Sequence, residues 1–315
     1  MILELSTTAP TNSLTGAPSS LDLVERFISS VDIRSSSRVS YKRSLLLFFR
    51  WVESKGYPIT RISTKELLEY KDKMLAEGLS SLTIASYLTA LRRFYTWLAS
   101  FTNYPNIATG VKLPKRKQGI QKTPLTPDKA RELLSYSSAS KGIRDTAILN
   151  LLVRTGLRTI EVVRANVGDI QIRENRRVLV VQRKGSDSKD SIVVLTDKAY
   201  KPIEEYLTTR GRVNSGAPLF TSASPNSKGE RLTTRSVSKI AKESLKAVGL
   251  TENSYTAHSL RHTAGTIAID SGESLERVQA MLGHSSPTTT QIYTKYALLR
   301  ARLNTPPEEA LDRAI

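Results

Sequence analysis

A segment with no apolar period, residues 106–124, divides this chain of 315 residues into two parts. It combines asparagine, proline and glycine with a basic run at 112–117. Because such a stretch offers no continuous apolar face, no core helix or strand is expected to cross it. The sequence therefore predicts a basic linker between two domains, which span residues 19–105 and 125–315. Residues 1–18 are rich in Ser, Thr and Pro and contain no Lys or Arg, so we expect a disordered tail there.

Four amphipathic helices are expected in the first domain. Apolar residues recur at helical spacing in three stretches, 21–28, 39–52 and 82–98. A further helix begins at residues 63–66, Ser-Thr-Lys-Glu, where the serine and the glutamate form a capping box. Four helices of this length are enough to close a small bundle.

The second domain is predicted to mix helices with a small sheet. Two β-rich runs, 178–181 and 192–195, are joined through Gly-Ser-Asp at 185–187, a pattern typical of a hairpin. Helices are expected to begin at Thr126-Pro127 and to cover 143–153, 234–247, 257–269, 274–282 and, at the end of the chain, 308–315. The predicted fold class is mainly α, with an antiparallel sheet in the second of two helical lobes.

The chain carries a strong positive charge. It has 47 Lys and Arg against 29 Asp and Glu, which gives a formal net charge of +18. An excess of this size favours a polyanionic partner, DNA or RNA. A ribosomal or chromatin protein and a binder of membrane surfaces are the competing interpretations. Neither a low-complexity basic tail nor a basic membrane-facing helix supports them.

Several classes of protein are disfavoured by what the sequence lacks. The absence of cysteine excludes disulfides, thiol nucleophiles and cysteine metal sites. No apolar run approaches the ~18 residues of a membrane-spanning helix. The N-terminus has no basic start of a secretory signal. We therefore expect a cytoplasmic protein with no membrane partner.

The residues with the clearest chemistry lie in short motifs. All three histidines fall within HSLRH at 258–262 and LGH at 282–284. Tyr293 comes nine residues after His284, and the upstream motif TGLRTIE contains Arg158. Arginine, histidine and tyrosine in this combination can break and rejoin a phosphodiester through a covalent bond to tyrosine.

This chemistry assigns a role to each residue type. A phosphodiester under attack gains negative charge on its non-bridging oxygens, which guanidinium groups bind in a bidentate way. Arg158 and Arg261 are the candidates for these clamps. A tyrosine hydroxyl has a pKa near ~10 and needs a base, and His258 would share a helix face with Arg261. His284 is a candidate donor to another non-bridging oxygen.

A lysine can deliver the proton that the leaving 5′ oxygen needs. Lys184 lies between the two β-rich runs, at the tip of the predicted hairpin. Lys189 lies on the same turn and competes with it, but the flanking Asp187 and Asp190 are expected to neutralise its charge. Each of these residues alone has an ordinary structural interpretation. The ordered set of Arg, Lys, HxxR, GH and Tyr favours chemistry.

The chain resembles the tyrosine recombinase family, which includes integrases and Xer-type recombinases. TGLRTIEV is similar to the family's first arginine box, HSLRHTAGT to its HxxR box, and LGHSSPTTTQIYTKY to the box that ends in the nucleophile. RDTAILNLLVRTGLR is similar to the helix that leads into the first arginine. These motifs cover residues 125–300, and the resemblance extends more loosely over 20–113.

The resemblance implies a fold and an active site. The fold is an N-terminal four-helix, SAM-like core-binding domain followed by a mixed α/β catalytic domain with a C-terminal helix. Tyr293 is implied as the nucleophile, since the family's spacing from the GH box favours it over Tyr296. The residues implied to surround it are Arg158, Lys184, His258, Arg261 and His284.

Basic residues outside these motifs are candidates for contacts with the DNA backbone. They lie on the predicted helices of the first domain and in the linker: Arg38, Lys42, Arg43, Arg92, Arg93, Lys115, Arg116 and Lys117. For any one of them, a solvated helix face or a solvated linker is a competing explanation.

The sequence as a whole favours a site-specific DNA recombinase. The resemblance implies a homotetramer on double-stranded DNA sites that are inverted repeats, with strand exchange through a four-way junction and a C-terminal helix docked on a neighbouring subunit. Because the phosphotyrosyl bond keeps the energy of the broken phosphodiester, no cofactor and no metal is expected. A type IB topoisomerase, a non-catalytic DNA-binding protein and an RNA-binding protein remain as alternatives. The target sequence and the biological task, whether resolution, integration, excision or inversion, stay open.

Overall fold

The computed structural model describes residues 19–115 and 122–304, together with 306, 308, 309 and 312. The chain divides into two compact units, Met1–Gly119 and Ile120–Ile315. The predicted tail at 1–18 and the basic residues Arg116 and Lys117 lie outside the described residues. The same holds for most of the predicted helix 308–315.

The described part of the first unit has the four α-helices that the sequence predicts. They are α1 (Ser20–Ser30), α2 (Ser35–Ser54), α3 (Thr64–Ala76) and α4 (Ser81–Ala99). Serine side chains at Ser19, Ser63 and Ser80 accept hydrogen bonds from the first free backbone N–H groups of α1, α3 and α4. The predicted capping box at 63–66 is therefore present.

The core of the first unit is aromatic. Phe27, Phe48, Phe49 and Phe94 are each at most 2% exposed. Phe94 meets Phe27 and Phe49 edge to face, with ring centroids 5.5 Å apart. Phe48 meets Tyr70 of α3 in the same way, at 5.1 Å. Edge-to-face pairs stabilise beyond their buried area, so this cluster joins all four helices.

The core of the first unit extends past α4 into the predicted linker. Tyr104, Ile107 and Val111 are buried. The Thr64 hydroxyl donates to the Ile107 carbonyl over 2.9 Å, and the Arg92 guanidinium donates to the Val111 carbonyl. These residues join the core without any regular period, which is why their sequence predicts a linker.

The second unit surrounds one buried helix. Its helices are α5 (Pro127–Ser140), α6 (Ile143–Thr155), α7 (Thr159–Arg164), α8 (Asp197–Arg210), α9 (Thr234–Ala247), α10 (Ala257–Asp270), α11 (Leu275–Leu282) and α12 (Pro287–Asn304). Ala147, Ile148, Leu149 and Leu151 are 0% exposed, so the middle of α6 is enclosed on every side. It packs against α5, α8 and α10. No helix of the described residues is both long and apolar enough to cross a membrane.

The sheet of the second unit is small and antiparallel, as predicted. Its strands are β1 (Ile170–Arg173), β2 (Arg176–Val181) and β3 (Ser191–Val194), in that order. Leu179 of β2 faces Ile170 of β1 and Val193 of β3. The strand β1 was not predicted, because it has only four residues and three of them are exposed.

Three helices of the second unit were not predicted. The helix α7 has only six residues. The helix α8 is highly charged and contains Pro202, and α12 opens on Pro287 and three threonines, which are weak helix formers. Tertiary packing overrides these local preferences. The consequence for function is that the helix carrying Tyr293 could not be recognised from propensity.

Candidate active site

Gly156, two residues before Arg158, lets the end of α6 approach the end of α11. Gly156 ends α6 in the left-handed conformation, with φ of 64°. A Cβ at this position would lie 2.5 Å from the Leu282 side chain of α11. Glycine is therefore required both for the backbone turn and for the close approach. Two residues later, Arg158 is the N-cap residue of α7.

Arg158 is held by a buried carboxylate. The Glu161 carboxylate is 0% exposed and accepts a hydrogen bond from the Arg158 backbone N–H over 2.9 Å. It also accepts one from the Arg158 Nη1 over 2.8 Å. The Arg158 side chain remains 23% exposed. The guanidinium is therefore fixed in direction while still open to a ligand.

Arg261 lies deeper, on α10, and is 1% exposed. Its Nη1 donates to the Gly156 carbonyl over 2.7 Å, and its Nη2 donates to the Leu282 carbonyl over 2.6 Å. Burial, and then the charge of Arg158, lower the pKa of Arg261 to about 10. The group therefore remains charged at neutral pH, and it joins the end of α6 to the end of α11.

His258 lies one helical turn before Arg261, as the motif spacing predicts, but the two differ in burial. His258 is exposed, whereas Arg261 is buried. The pKa of His258 is lowered, first by partial desolvation of its ring and then by the positive charges of Arg261 and Arg158. The imidazole is therefore neutral at pH 7 and able to accept a proton.

His284 follows the left-handed Gly283 that ends α11. Its Nδ1 is 2.8 Å from the Thr290 hydroxyl oxygen, and the residue is 8% exposed. Burial, and then the charges of Arg261 and Arg158, lower the pKa of His284 to about 3. The ring is thus a neutral imidazole whose Nδ1 is occupied by Thr290, which leaves Nε2 for a ligand.

Tyr293 of α12 is 2% exposed and is enclosed by small or flat neighbours. Its ring is parallel to that of His284, with centroids 6.2 Å apart, and tilted against that of His262 at 5.5 Å. A Cβ at Gly265 would lie 2.8 Å from the Tyr293 ring. Burial raises the pKa of the Tyr293 hydroxyl, and the charges of Arg261 and Arg158 oppose this rise.

Lys184 lies in the connection between β2 and β3 and is exposed. Its charge is one of those that lower the pKa of His258. Lys189, the competing lysine, forms an ion pair with Asp169 over 2.5 Å. Its charge is therefore neutralised, but by Asp169 and not by the flanking aspartates that the sequence suggested. The Asp190 carboxylate instead accepts from the Ser188 hydroxyl over 2.8 Å.

The structure brings five of the six predicted residues into one cluster. Arg158, His258, Arg261, His284 and Tyr293 act on one another through their charges or ring contacts. Lys184 is at the edge of this cluster. Among the residues with described positions, no three His, Asp or Glu side chains are grouped as metal ligands.

Most of the basic residues predicted to contact the DNA backbone lie in the first unit. Arg43 and Arg93 are exposed, and Lys115 is exposed in the segment after α4. Others already have intramolecular partners: Lys42 pairs with Glu25, Arg38 donates to the Ile33 carbonyl, and Arg92 donates to the Val111 carbonyl. Arg92 therefore has a structural role that its sequence did not indicate.

Four residues of the site were not singled out in the sequence. Glu161 and Arg183 are buried charges, and His262 and Gly265 contact Tyr293. His262 and Gly265 both lie inside HSLRHTAGT, so their proximity to the cluster was detectable. Nothing in the sequence around Arg183 indicated that its side chain points inward.

Titration of the histidines tests the electrostatics of the site. Burial lowers the pKa of His262 to about 4 and that of His284 to about 3. An unfolded chain takes up these protons near pH ~6.5, so the folded state loses stability as the pH falls from there towards the folded values. At pH 5 the loss is roughly 2 kcal/mol for each histidine.

We expect NMR spectra of the DNA-free protein at pH 5.5 to show the rings of His262 and His284 still neutral. The chain has only three histidines, so each ring can be followed by itself. Substitution of His262 by Asn identifies its signal. Midpoints near ~6.5 for all three rings would show that the cluster is neither buried nor positively charged.

Two family models match the chain. Residues 123–298 match the phage integrase family, and residues 24–100 match the N-terminal SAM-like domain of phage integrases. Tyrosine recombinase XerD of Listeria monocytogenes serotype 4b is 31% identical over 290 residues, which cover 89% of this chain and 93% of the relative. Tyrosine recombinase XerC of Thermodesulfovibrio yellowstonii is 30% identical, with 81% and 84% covered.

Solved structures have the same fold. The XerH site-specific recombinase in a post-cleavage complex with its palindromic difH substrate has a TM-score of 0.75 and 22% identity, covering 93% of this chain and 86% of that one. A lambda integrase dimer bound to a COC' core site has a TM-score of 0.68 and 19% identity, covering 87% and 75%. The chain thus belongs to the phage integrase family and is a tyrosine recombinase, an enzyme that cuts and rejoins DNA strands.

Proposed function

We propose that this chain carries out site-specific DNA recombination with Tyr293 as the nucleophile. The Tyr293 oxygen forms a bond to a DNA phosphorus, and the bond from that phosphorus to the 5′ oxygen breaks. The product is a 3′-phosphotyrosyl link and a free 5′ hydroxyl. A 5′ hydroxyl from a second strand then attacks the link and releases Tyr293. The observation that carries this proposal is the position of Tyr293 within the field of Arg158 and Arg261, beside His284.

The two arginines bind the charge that develops on the phosphate. Arg158 is partly exposed and aimed by Glu161. Arg261 has a buried Nε with no hydrogen-bond partner among the described residues. A buried donor without a partner costs free energy, which a phosphate oxygen would recover. Interactions of this kind accelerate a reaction when they strengthen in the transition state.

The histidines act as neutral groups. If the Thr290 hydroxyl donates to the His284 Nδ1, the Nε2 of His284 carries the proton and donates to a non-bridging oxygen. His258 accepts the proton of the attacking hydroxyl, since it is neutral and exposed towards incoming DNA. Because Tyr293 is 2% exposed, α12 has to shift before the hydroxyl reaches a phosphate.

The partner of this reaction is double-stranded DNA with an inverted-repeat site. Arg43, Arg93 and Lys115, which are exposed, would bind the phosphates of its backbone. Strand exchange joins two sites, so we propose a homotetramer in which strands are exchanged in pairs through a four-way junction. The C-terminal segment after α12 would dock on a neighbouring subunit and couple the active sites.

A nicked duplex tests this function. The duplex that binds the full chain best is first recovered from a random-sequence pool. It is then made as a set, here called the nicked duplexes, whose members differ only in the position of one nick. A nick beside the cut site releases a short fragment with the 5′ hydroxyl and traps the covalent intermediate. We expect a denaturation-resistant adduct for one nick position in each strand.

Other outcomes separate the alternatives. The absence of an adduct with every member of the set would leave a protein that only binds nucleic acid. Relaxation of a supercoiled plasmid without the recovered sequence, as fast as one that carries it, would favour a type IB topoisomerase.

Lys184→Ala tests the assignment of the general acid. We expect slow cleavage of normal DNA, because the 5′ oxygen leaves without a proton. Replacement of that bridging oxygen by sulfur provides a leaving group that needs no proton, so the variant should then cleave at nearly the wild-type rate. Lys189→Ala is the matched control and should cleave both substrates normally, since Lys189 is paired with Asp169. Rescue of Lys189→Ala instead would assign the acid to Lys189.

A further inference from the structure

Arg183 is a buried arginine that the proposed chemistry does not use. It is 9% exposed and lies two residues after the end of β2, immediately before Lys184. Its Nη1 donates to the Glu161 carboxylate over 3.4 Å and to the Leu282 carbonyl over 3.3 Å. Its Nη2 donates to the Met281 carbonyl over 3.1 Å. The guanidinium of Arg183 thus forms hydrogen bonds to both α7 and α11, which are distant from it in sequence.

The space for this side chain is made by a glycine. Gly283 ends α11 with φ of 62°. A Cβ at Gly283 would come within 2.6 Å of the Arg183 Cζ. The guanidinium therefore lies directly against the backbone that leads into His284. A side chain at 283 would both strain the helix end and displace Arg183.

Two of the three acceptors of Arg183 also accept from Arg158 or from Arg261. Glu161 binds Arg158 with its other oxygen, and the Leu282 carbonyl also accepts from Arg261. Burying three guanidinium groups around one carboxylate is costly, and burial together with the charge of Arg158 lowers the pKa of Arg183. Through the Glu161 carboxylate and the Leu282 carbonyl, Arg183 is linked to both Arg158 and Arg261.

We propose that Arg183 is a positioning residue. It anchors the turn that contains Lys184 to the Glu161 carboxylate and the Leu282 carbonyl, which also bind Arg158 and Arg261. This inference rests on the proposed function, in which Lys184 protonates the 5′ oxygen. The Lys184 side chain is exposed, whereas the side chain of its neighbour Arg183 is fixed by three hydrogen bonds. Loss of these bonds frees the first residue of the turn and lets the ammonium leave its place.

The test compares cleavage of two substrates by Arg183→Met. Methionine keeps an unbranched chain but has no donors, and Glu161 remains paired with Arg158. On the nicked duplex that traps the wild-type protein, we expect cleavage to slow on the order of 10²-fold, the cost of a misplaced catalytic group. With sulfur as the bridging atom the slowing should largely disappear, since the position of Lys184 no longer matters. DNA affinity should stay at the wild-type value.

Two further variants complete the test. Arg176→Met removes the same charge from the exposed start of β2 and should cleave both substrates at wild-type rates. Arg183→Lys keeps the buried charge but lacks the fork of donors, so it should show the same rescue by sulfur if the methionine variant folds poorly.

Equal slowing on both substrates, or normal cleavage by both Arg183 variants, would overturn the inference. These outcomes are distinct from failure of the proposed function, in which the wild-type protein itself forms no adduct. In that case the inference falls together with the function.

Discussion

Tyr293→Phe is expected to abolish the covalent protein–DNA adduct while leaving DNA binding intact. The substitution removes only the hydroxyl that bonds to phosphorus, and the ring keeps its packing against Gly265 and His284. Adduct formation on the nicked duplexes is measured after denaturation, and affinity is measured by titration of the same DNA. An adduct formed by Tyr293→Phe would show that another residue is the nucleophile.

Tyr296→Phe is the matched control on the same helix. Tyr296 lines an apolar cavity of about 310 Å³ together with Leu125, Leu250 and Leu299. We expect this variant to form the adduct at the wild-type rate. If Tyr296→Phe formed no adduct and Tyr293→Phe did form one, Tyr296 would be the nucleophile.

Arg158→Ala is expected to slow cleavage by ~10²-fold or more, on the scale of a lost oxyanion donor. The charge on the phosphate grows during attack, so the arginine stabilises the transition state more than bound DNA. DNA affinity should therefore fall much less. Arg158 is the better of the two arginines for this test, because its removal leaves Glu161 paired with Arg183. Single-turnover rates at saturating DNA, set beside dissociation constants, give the comparison.

Arg261 is expected to contribute both to the cleavage rate and to the stability of the fold. It binds the Gly156 and Leu282 carbonyls, so Arg261→Ala leaves both buried acceptors without that donor and should lower stability as well as rate. For Arg158→Ala, equal losses in affinity and in rate would mean that this arginine only anchors the phosphate in the ground state.

Helices and strands with a regular apolar period were predictable from the sequence. The four helices of the first unit, the buried α6 and the β2–β3 pair all carry such a period. The helices α7, α8 and α12 were not recognised, because short length, charge, Pro202 and a run of threonines hide them. They form because the neighbouring elements bury one side of each.

The residues of the candidate active site could be proposed from the sequence where a residue's chemistry alone suggests its role. Arginine, histidine and tyrosine in ordered motifs are enough to indicate phosphoryl transfer. Glu161, Arg183 and Gly265 act through contacts with residues distant in sequence, and Arg183 reaches carbonyls 98 and 99 residues away. Contacts of that kind leave no local pattern.

Identification of the amino acid bonded to DNA decides whether Tyr293 is the nucleophile. Cleavage after Lys295 separates the two candidate tyrosines, since a tryptic peptide of residues 278–295 contains Tyr293 and one of residues 296–300 contains Tyr296. The adduct trapped on a nicked duplex is digested with trypsin and nuclease and sequenced by mass spectrometry. We expect a nucleotide mass on Tyr293 within peptide 278–295. The same mass on Tyr296, or on a serine or threonine of either peptide, would contradict it.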